Sequence, residues 1–369
     1  MLEDEIDSAQ RLVRTDAYQM SIGEIVSMYE REEIVIAPEF QRLFRWKISQ
    51  KSKLIESLLL GIPIPSIFVF ERDNGEWELI DGLQRVSTIL EFMGLLRNPE
   101  GGAQKPSLLE ATKYLPSLHN VVWEKSDLIE GTDVDDQIEI DKALQLAIRR
   151  SRVGVEILKR SSDNETKFDL FQRLNAGGTQ ANAQELRNCI MLMVNPDYFR
   201  AVKSAAETQA FKRVTAVTKD QRDKQRHMEL AVRFLVHTCI PYDGNLDVQE
   251  YIDEGIVELA TQGDIDQPTN LITRTFDLLN QVDGKNTLRR RQDGNPSGKV
   301  GLVGLEGIAV GVAKNLDEIL ALEAPKEFVN ERINNFWDDP DTQNLTSPGL
   351  RGTIRIKRTV PLGTERFKP

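Results

Sequence analysis

The stretch ELIDGLQRVSTILEFMG, residues 78–94, holds the residue types best suited to chemistry: Asp81, Gly82, Gln84 and Arg85. An apolar run leads into them and an amphipathic run leads away, so they stand where a strand hands over to a helix. Gly82 permits a tight turn and a close backbone approach. The first turn of a helix has N–H groups without intrahelical acceptors and a partial positive charge, which suits a phosphate. Arg85 would add a forked cationic contact. Asp81 would offer oxygen to a divalent cation such as Mg²⁺, or polarise a water beside that phosphate. The same residues have a structural reading, in which Asp81 caps the helix and Arg85 pairs with an acid. The spacing D-G-x-Q-R alone is compatible with both.

Two further stretches carry related chemistry. PEFQRLFRW, residues 38–46, places Gln41, Arg42, Arg45 and Trp46 in a loop directly after a strand. Two guanidiniums and an amide suit an anion, and Trp46 offers a face on which a base could stack. Phe40 and Phe44 read as core anchors. FQRLNAGG, residues 171–178, adds Arg173, Asn175 and a Gly177-Gly178 turn, a pattern that also ends ordinary helices.

The elements that must position these residues follow from patterning. Ser21-x-x-Glu24 has capping-box spacing, and Ile22, Ile25, Val26 and Tyr29 follow at helical intervals, predicting a helix over about 21–31. EIVIAP reads as a strand ended by Pro38. Leu54, Ile55, Leu58 and Leu59 mark a second helix stopped by Gly61 and Pro63. SIFVFE and WELID form a hairpin around Asp73-Asn74-Gly75, and Ile89, Leu90 and Met93 line a third helix. The pattern weakens over 97–150, which reads as an insertion with a helix around 138–150. RVGVEIL is a further strand, followed by helix, Gly-Gly loop and helix, with Asn182-x-x-Glu185 as the cap of the latter. Beyond about residue 200 the helical period dominates, with Met228, Ala231, Phe234 and Leu235 on one stripe. The order predicts an α+β chain: a mixed α/β domain over 15–195, then a mostly helical domain over 196–369 with a basic tail.

Composition narrows the classes. A chain of 369 residues, 40% apolar and 28% charged, is ordinary for a globular protein of two domains. No run approaches the roughly 20 apolar residues of a membrane span. MLEDEIDSAQ lacks the basic-then-apolar pattern of a secretory signal, so a cytoplasmic location is expected. Cys189 and Cys239 sit in apolar, apparently helical stretches and read as reduced core residues. A net charge of −11 disfavours sequence-blind DNA binding over the whole surface. The basic residues are nevertheless clustered, at Arg289, Arg290 and Arg291 and at Arg355, Lys357 and Arg358 in the tail. These form either a patch for nucleic acid or a phosphorylated ligand, or a solvated tail.

Taken together, PEFQRLFRW, LIESLLLGIPIPSIFVF, LIDGLQR and LFQRLNAGGTQANAQELRN occur in the order and spacing of the GmrSD-type N-terminal domain. The chain resembles that family over about residues 15–195. The resemblance implies a ParB/sulfiredoxin-like fold, NTP binding and hydrolysis with Mg²⁺ at a D-G-Q-Q-R motif, and a part in prokaryotic defence against phage or modified DNA. It assigns catalysis to Asp81, Gln84 and Arg85, and nucleotide contacts to Gln41, Arg42, Arg45, Gly82, Arg173 and Asn175. One departure stands inside the motif: Leu83 replaces its first Gln, which puts hydrolysis rather than binding in question. Better known members carry an HNH-type nuclease domain. The three histidines here, His119, His227 and His237, do not form its pattern. His227 and His237 stand about 15 Å apart along one expected helix, too far to share a metal. The alternatives to an NTP-hydrolysing switch are therefore a DNA nuclease using Asp81 and neighbouring acids, or a non-catalytic nucleotide- or modified-DNA-sensing module. The module would act through a separate nuclease or defence subunit, and either form could be oligomeric.

Overall fold

The computed structural model describes residues 15–36, 46–72, 74–98, 101–159, 183–218, 221, 225–292, 294–346 and 349–369. The chain divides into two compact units between Gln180 and Ala181. The first unit begins with β1 (Thr15–Ser21), α1 (Ile22–Glu30), β2 (Ile34–Val35), α2 (Ile48–Leu59), β3 (Ile67–Glu71), β4 (Trp77–Asp81) and α3 (Leu83–Phe92). It continues with β5 (Val121–Val122), β6 (Ile138–Glu139), α4 (Lys142–Arg150) and β7 (Arg152–Leu158).

Five of these strands form one mixed sheet in the order β1-β7-β3-β4-β2. β7 is antiparallel to β1 and parallel to β3, while β3 and β4 form the expected antiparallel hairpin around Gly75. Side chains alternate across a strand, and the register puts Ile67, Val69, Leu79, Val153, Val155 and Ile157 on one buried face. Against it lie Ile22, Ile25 and Val26 of α1 and Val86, Ile89 and Leu90 of α3, which with Ile67 and Val153 leave a cavity of only about 10 Å³. The capping reading holds at Ser21, whose Oγ accepts from the Glu24 N–H at 3.1 Å, and α1 starts at Ile22.

The segment read as an insertion is stitched to α2 and α3. Ser52 Oγ accepts from the Glu110 N–H at 2.9 Å. The Glu56 carboxylate accepts from the Tyr114 and Leu115 N–H groups at 3.0 and 3.1 Å, and from the Thr112 hydroxyl. Trp123 packs edge-on against Phe92, with ring centroids 5.7 Å apart, and its carbonyl accepts from Gln145 Nε2 of α4 at 2.9 Å. Ser52 and Glu56 are polar positions on α2, so the apolar pattern alone does not reveal that they hold this segment.

The second unit contains α5 (Ala183–Val194), α6 (Pro196–Ala206), α7 (Gln209–Thr215), α8 (Arg226–Cys239), α9 (Val248–Gln262) and α10 (Asp266–Asp283). A hairpin of β8 (Arg289–Gln292) and β9 (Asn295–Val300) follows. A π-helical turn, Gly304–Ala309, then runs into α11 (Val310–Lys314), α12 (Leu316–Leu320), α13 (Pro325–Asp338), α14 (Pro340–Leu345) and α15 (Gly352–Arg366). The α8 stripe of Met228, Ala231, Phe234 and Leu235 is buried as its period predicts. Phe276 gathers Phe211 and Phe234, with centroids 4.5 and 5.1 Å away. α5, which motif continuity joins to the first domain, packs in this unit on α6 and α9. Its Arg187 is 1% exposed and donates to Asp253 at 2.5 Å.

The basic tail is packed on one face only: Ile356, Thr359 and Gly363 are buried, while Arg351, Lys357, Arg358, Arg366 and Lys368 are exposed. It is the helix α15, laid against the π turn and α11 through glycines. A Cβ on Gly311 would lie 2.5 Å from the Gly363 carbonyl oxygen, so backbones meet where side chains would not fit. Arg355 donates through Nε and Nη2 to the fully buried Glu306 carboxylate, at 2.9 Å each. Burial raises the Glu306 pKa against the pull of Arg355. On α8, His227 and His237 are both buried, and burial with nearby Arg233, Arg355 and Lys314 pushes His237 down to about 3. Cys239 is a free thiol. Among the described residues no helix is long and apolar enough to cross a membrane.

Glu56 gives a testable consequence. The Thr112 hydroxyl and the Tyr114 and Leu115 N–H groups hold its carboxyl below the ordinary pKa. A carboxyl lowered on folding contributes stability above its unfolded pKa and loses it as pH falls through the folded value. Glu56→Gln should therefore lower the melting temperature near pH 7, and the gap to the parent should close as the pH drops. Thermal melts from about pH 7 to about pH 3, spanning the carboxylate range, check this.

Candidate functional site

The junction at Asp81 is built from a strand end, a glycine and a helix start. β4 ends at Asp81 and α3 begins at Leu83; between them Gly82 has φ +94° and ψ 9° and serves as the N-cap. A Cβ at Gly82 would lie 2.5 Å from Cγ2 of Ile67 on β3, so both the left-handed backbone and the neighbouring strand require glycine. The β3–β4 register shifts between Phe68 and Val69, pairing Phe68 with Asp81. Irregularities of this kind re-aim side chains at strand ends. The first bond of the helix joins the Val86 N–H to the Gly82 carbonyl at 2.9 Å, so the N–H groups of residues 83–85 precede the ladder.

The side chains divide into an inward and an outward group. Arg85 turns back beneath the junction, where its Nη2 donates to Asp81 Oδ2 and to the Ser66 carbonyl, both at 3.0 Å. Arg85 is 7% exposed, and its buried Nε has no partner among the described residues. The Asp81 side chain is 36% exposed, so the carboxylate is the accessible half of the pair. Gln84 Oε1 accepts from the Trp46 N–H at 3.1 Å, which ties Trp46 to the motif. Leu83 is half-buried at the first helical position.

The structure thus brings together Asp81, Gly82, Gln84, Arg85 and Trp46. Gln41, Arg42, Arg45, Arg173 and Asn175 lie outside the described residues. The Ser66 carbonyl and Ile67 complete the junction, and no side-chain pattern announces them: one is a backbone acceptor and the other an ordinary core residue. In the second unit, the six cations grouped by sequence take different partners, with Arg290 and Arg355 lining one groove. Arg291 is held by Asp283, Asn330 and Asn334, and Arg355 by Glu306. Lys357 Nζ donates to the Asp243 carbonyl at 3.2 Å, Arg290 and Arg358 are exposed, and Arg289 is intermediate.

A divalent cation can be tested against this donor set. Asp81 Oδ2 is engaged by Arg85, which leaves Oδ1 as its uncommitted oxygen. No group of three His, Cys, Asp or Glu among the described residues is placed to hold a metal. Mg²⁺ commonly binds through one or two carboxylates plus substrate phosphates, so the junction fits an ion carried by a nucleotide rather than a resident one.

Residues 22–192 match the family described as GmrSD restriction endonuclease, N-terminal domain. The match starts at α1, contains the whole junction and ends within α5. No curated protein and no solved structure matches the chain.

Gly82→Ala should destabilise the first unit by about 1–3 kcal/mol from backbone strain alone, with a further loss from the overlap with Ile67. Urea unfolding of the variant and parent measures this, and an unchanged midpoint would contradict the left-handed junction.

Proposed function

Because residues 22–192 match the GmrSD-type N-terminal domain family, we propose that this chain is the nucleotide-binding component of a prokaryotic restriction or anti-phage defence system. The role in defence rests on the family. The nucleotide seat rests on one observation: a left-handed glycine turns the strand into α3 so that the N–H groups of residues 83–85 precede the helical ladder, with an accessible carboxylate beside them. Helix starts of this kind accept phosphate through backbone N–H groups and the helix dipole. The sheet with its flanking helices is read, on the resemblance, as ParB/sulfiredoxin-like. Phage DNA is met in the cytoplasm, the location this role requires.

In this reading the phosphates of an NTP lie at the N-terminus of α3, and Arg42 and Arg45 supply the positive charge. Asp81 takes the proton of the attacking water as it adds to the terminal phosphorus, and the nucleoside diphosphate leaves. Mg²⁺ bound with the NTP would neutralise charge developing on the phosphate oxygens, and Asp81 is the residue that would reach it. Arg85 acts through Asp81, fixing its carboxylate against the Ser66 carbonyl. Gln84 holds Trp46, while Arg173 and Asn175 close the site.

A second reading has its own observation. Leu83 opens α3 where the family motif carries Gln, and a leucine has no group with which to orient a water. The seat would then bind nucleotide or modified DNA without turnover and pass the signal to a separate nuclease subunit.

Incubating the pure protein with each NTP and Mg²⁺, and separately with plasmid, distinguishes the readings. Phosphate release is expected, with Asp81→Asn retaining affinity within a few fold and losing about 10²-fold or more of turnover. Leu83→Gln should raise turnover. Saturable binding without release assigns the sensing role, and plasmid nicking assigns a nuclease. Failure to bind every NTP overturns the nucleotide seat.

A further inference from the structure

The second unit holds a groove of about 320 Å³ with Arg290, Lys299 and Arg355 among its lining residues, and Leu302, Trp337 and Leu345 along an apolar wall. We propose that this groove binds a nucleotide, its phosphate at the cations and its base against the apolar wall. The site is separate from the junction of the first unit and does not depend on the function proposed there.

The way each cation is held supports the assignment. β8 and β9 pair irregularly between Arg289 and Arg290, and successive side chains on a strand point to opposite faces. Arg291 therefore turns inward, anchoring the hairpin to Asp283 at 3.1 Å and to α13 through Asn330 and Asn334. Its neighbour Arg290 turns outward and is exposed, as is Lys299 on β9. Neither Arg290 nor Lys299 makes an ion pair among the described residues. Arg355 differs. Glu306 fixes its guanidinium by a two-point contact and cancels its charge, leaving a rigid donor edge rather than a mobile cation. Glu306 lies in the π-helical turn, a feature that recurs at functional sites.

Among the described residues no acid lines the groove, so two uncompensated charges face it on a chain whose net charge is −11. A positive spot on an acidic molecule concentrates small anions there. The apolar wall argues for more than an inorganic anion. Trp337 is 5% exposed, and among the described residues its Nε1–H has no acceptor. The volume lies at the lower end of the roughly 300–1,000 Å³ typical of small-ligand pockets, a size suited to one nucleotide. That nucleotide is either free or part of a DNA strand, since both present the same phosphate and base.

The test uses the full chain with two probes, dAMP and a fluorescein-labelled single-stranded DNA of about 12 nucleotides, a length within the range of known single-strand sites. The parent should bind at least one of them. Arg290→Glu with Lys299→Glu should weaken that binding at least tenfold without changing the thermal melt, because both side chains are exposed. For the DNA probe, Arg290→Ala with Lys299→Ala should flatten the slope of log K against log salt by about 0.7 per cation. Leu302→Trp, which fills the groove without altering charge, should also weaken binding. Binding of dAMP identifies a free nucleotide as the source, and binding of the DNA alone identifies a strand. The proposal is overturned if the parent binds neither probe at about 1 mM, the weak limit of specific recognition. It is also overturned if charge reversal leaves binding intact, or if filling the groove does.

Discussion

A glycine held at φ +94° against Ile67 is the constraint on which the first unit's candidate site depends. With any side chain at position 82, β4 could not turn into α3 while β3 lies alongside. The consequences extend in both directions along the chain. The turn places the α3 apolar face over the sheet, where Val86, Ile89 and Leu90 meet Ile67 and Val153. It also brings Arg85 back within reach of Asp81 and the Ser66 carbonyl, so that one guanidinium joins a strand end, a helix and the residue leading into the adjacent strand.

Fixed guanidiniums recur in both units, and they do different things. Buried ion pairs are weak evidence for stability, because desolvation offsets much of the attraction, but they do hold groups in place. Arg85 is buried and leaves its carboxylate partner accessible; Arg355 has a buried carboxylate partner and leaves its own outer edge towards a groove. Arg187 is the internal case: it is almost fully buried, with Asp253 and Gln249 as partners, and knits α5 to α9. It lies in the LRN segment that follows the Gly-Gly loop in sequence, yet its contacts are within the helical unit.

The second unit shows how a charge pattern can conceal a packing element. Six cations drawn from two sequence clusters include inward anchors, a capped edge and exposed charges, and only the fold sorts them. α15 carries Arg355, Lys357 and Arg358 within about one turn, yet its close approach to the π turn and α11 runs through Gly363, a residue that charge counting ignores. The same helix contributes Arg355 to the groove between the hairpin and α13–α14, so core packing and the proposed recognition surface share one element.

What the sequence alone determined is what short-range rules govern. The Ser21 cap, the hairpin around Gly75, the strand-glycine-helix order at residues 81–83 and the buried stripe of α8 each follow from dihedral preference or periodicity within a few residues. These suffice for the α+β order and for locating the motif. The sequence also offered two roles for Arg85 and two for the tail, and it could not choose between them. The choice was made by partners far along the chain: Ser66, 19 residues before Arg85; Gln84, 38 residues after Trp46; Glu306, 49 residues before Arg355. Local preference states which conformation a segment takes, but the direction of a long polar side chain depends on which acceptor reaches it first through three-dimensional packing. That is why the motif was visible in the sequence, whereas the inward turn of Arg85 and the docking of one face of α15 were decided only by the tertiary structure.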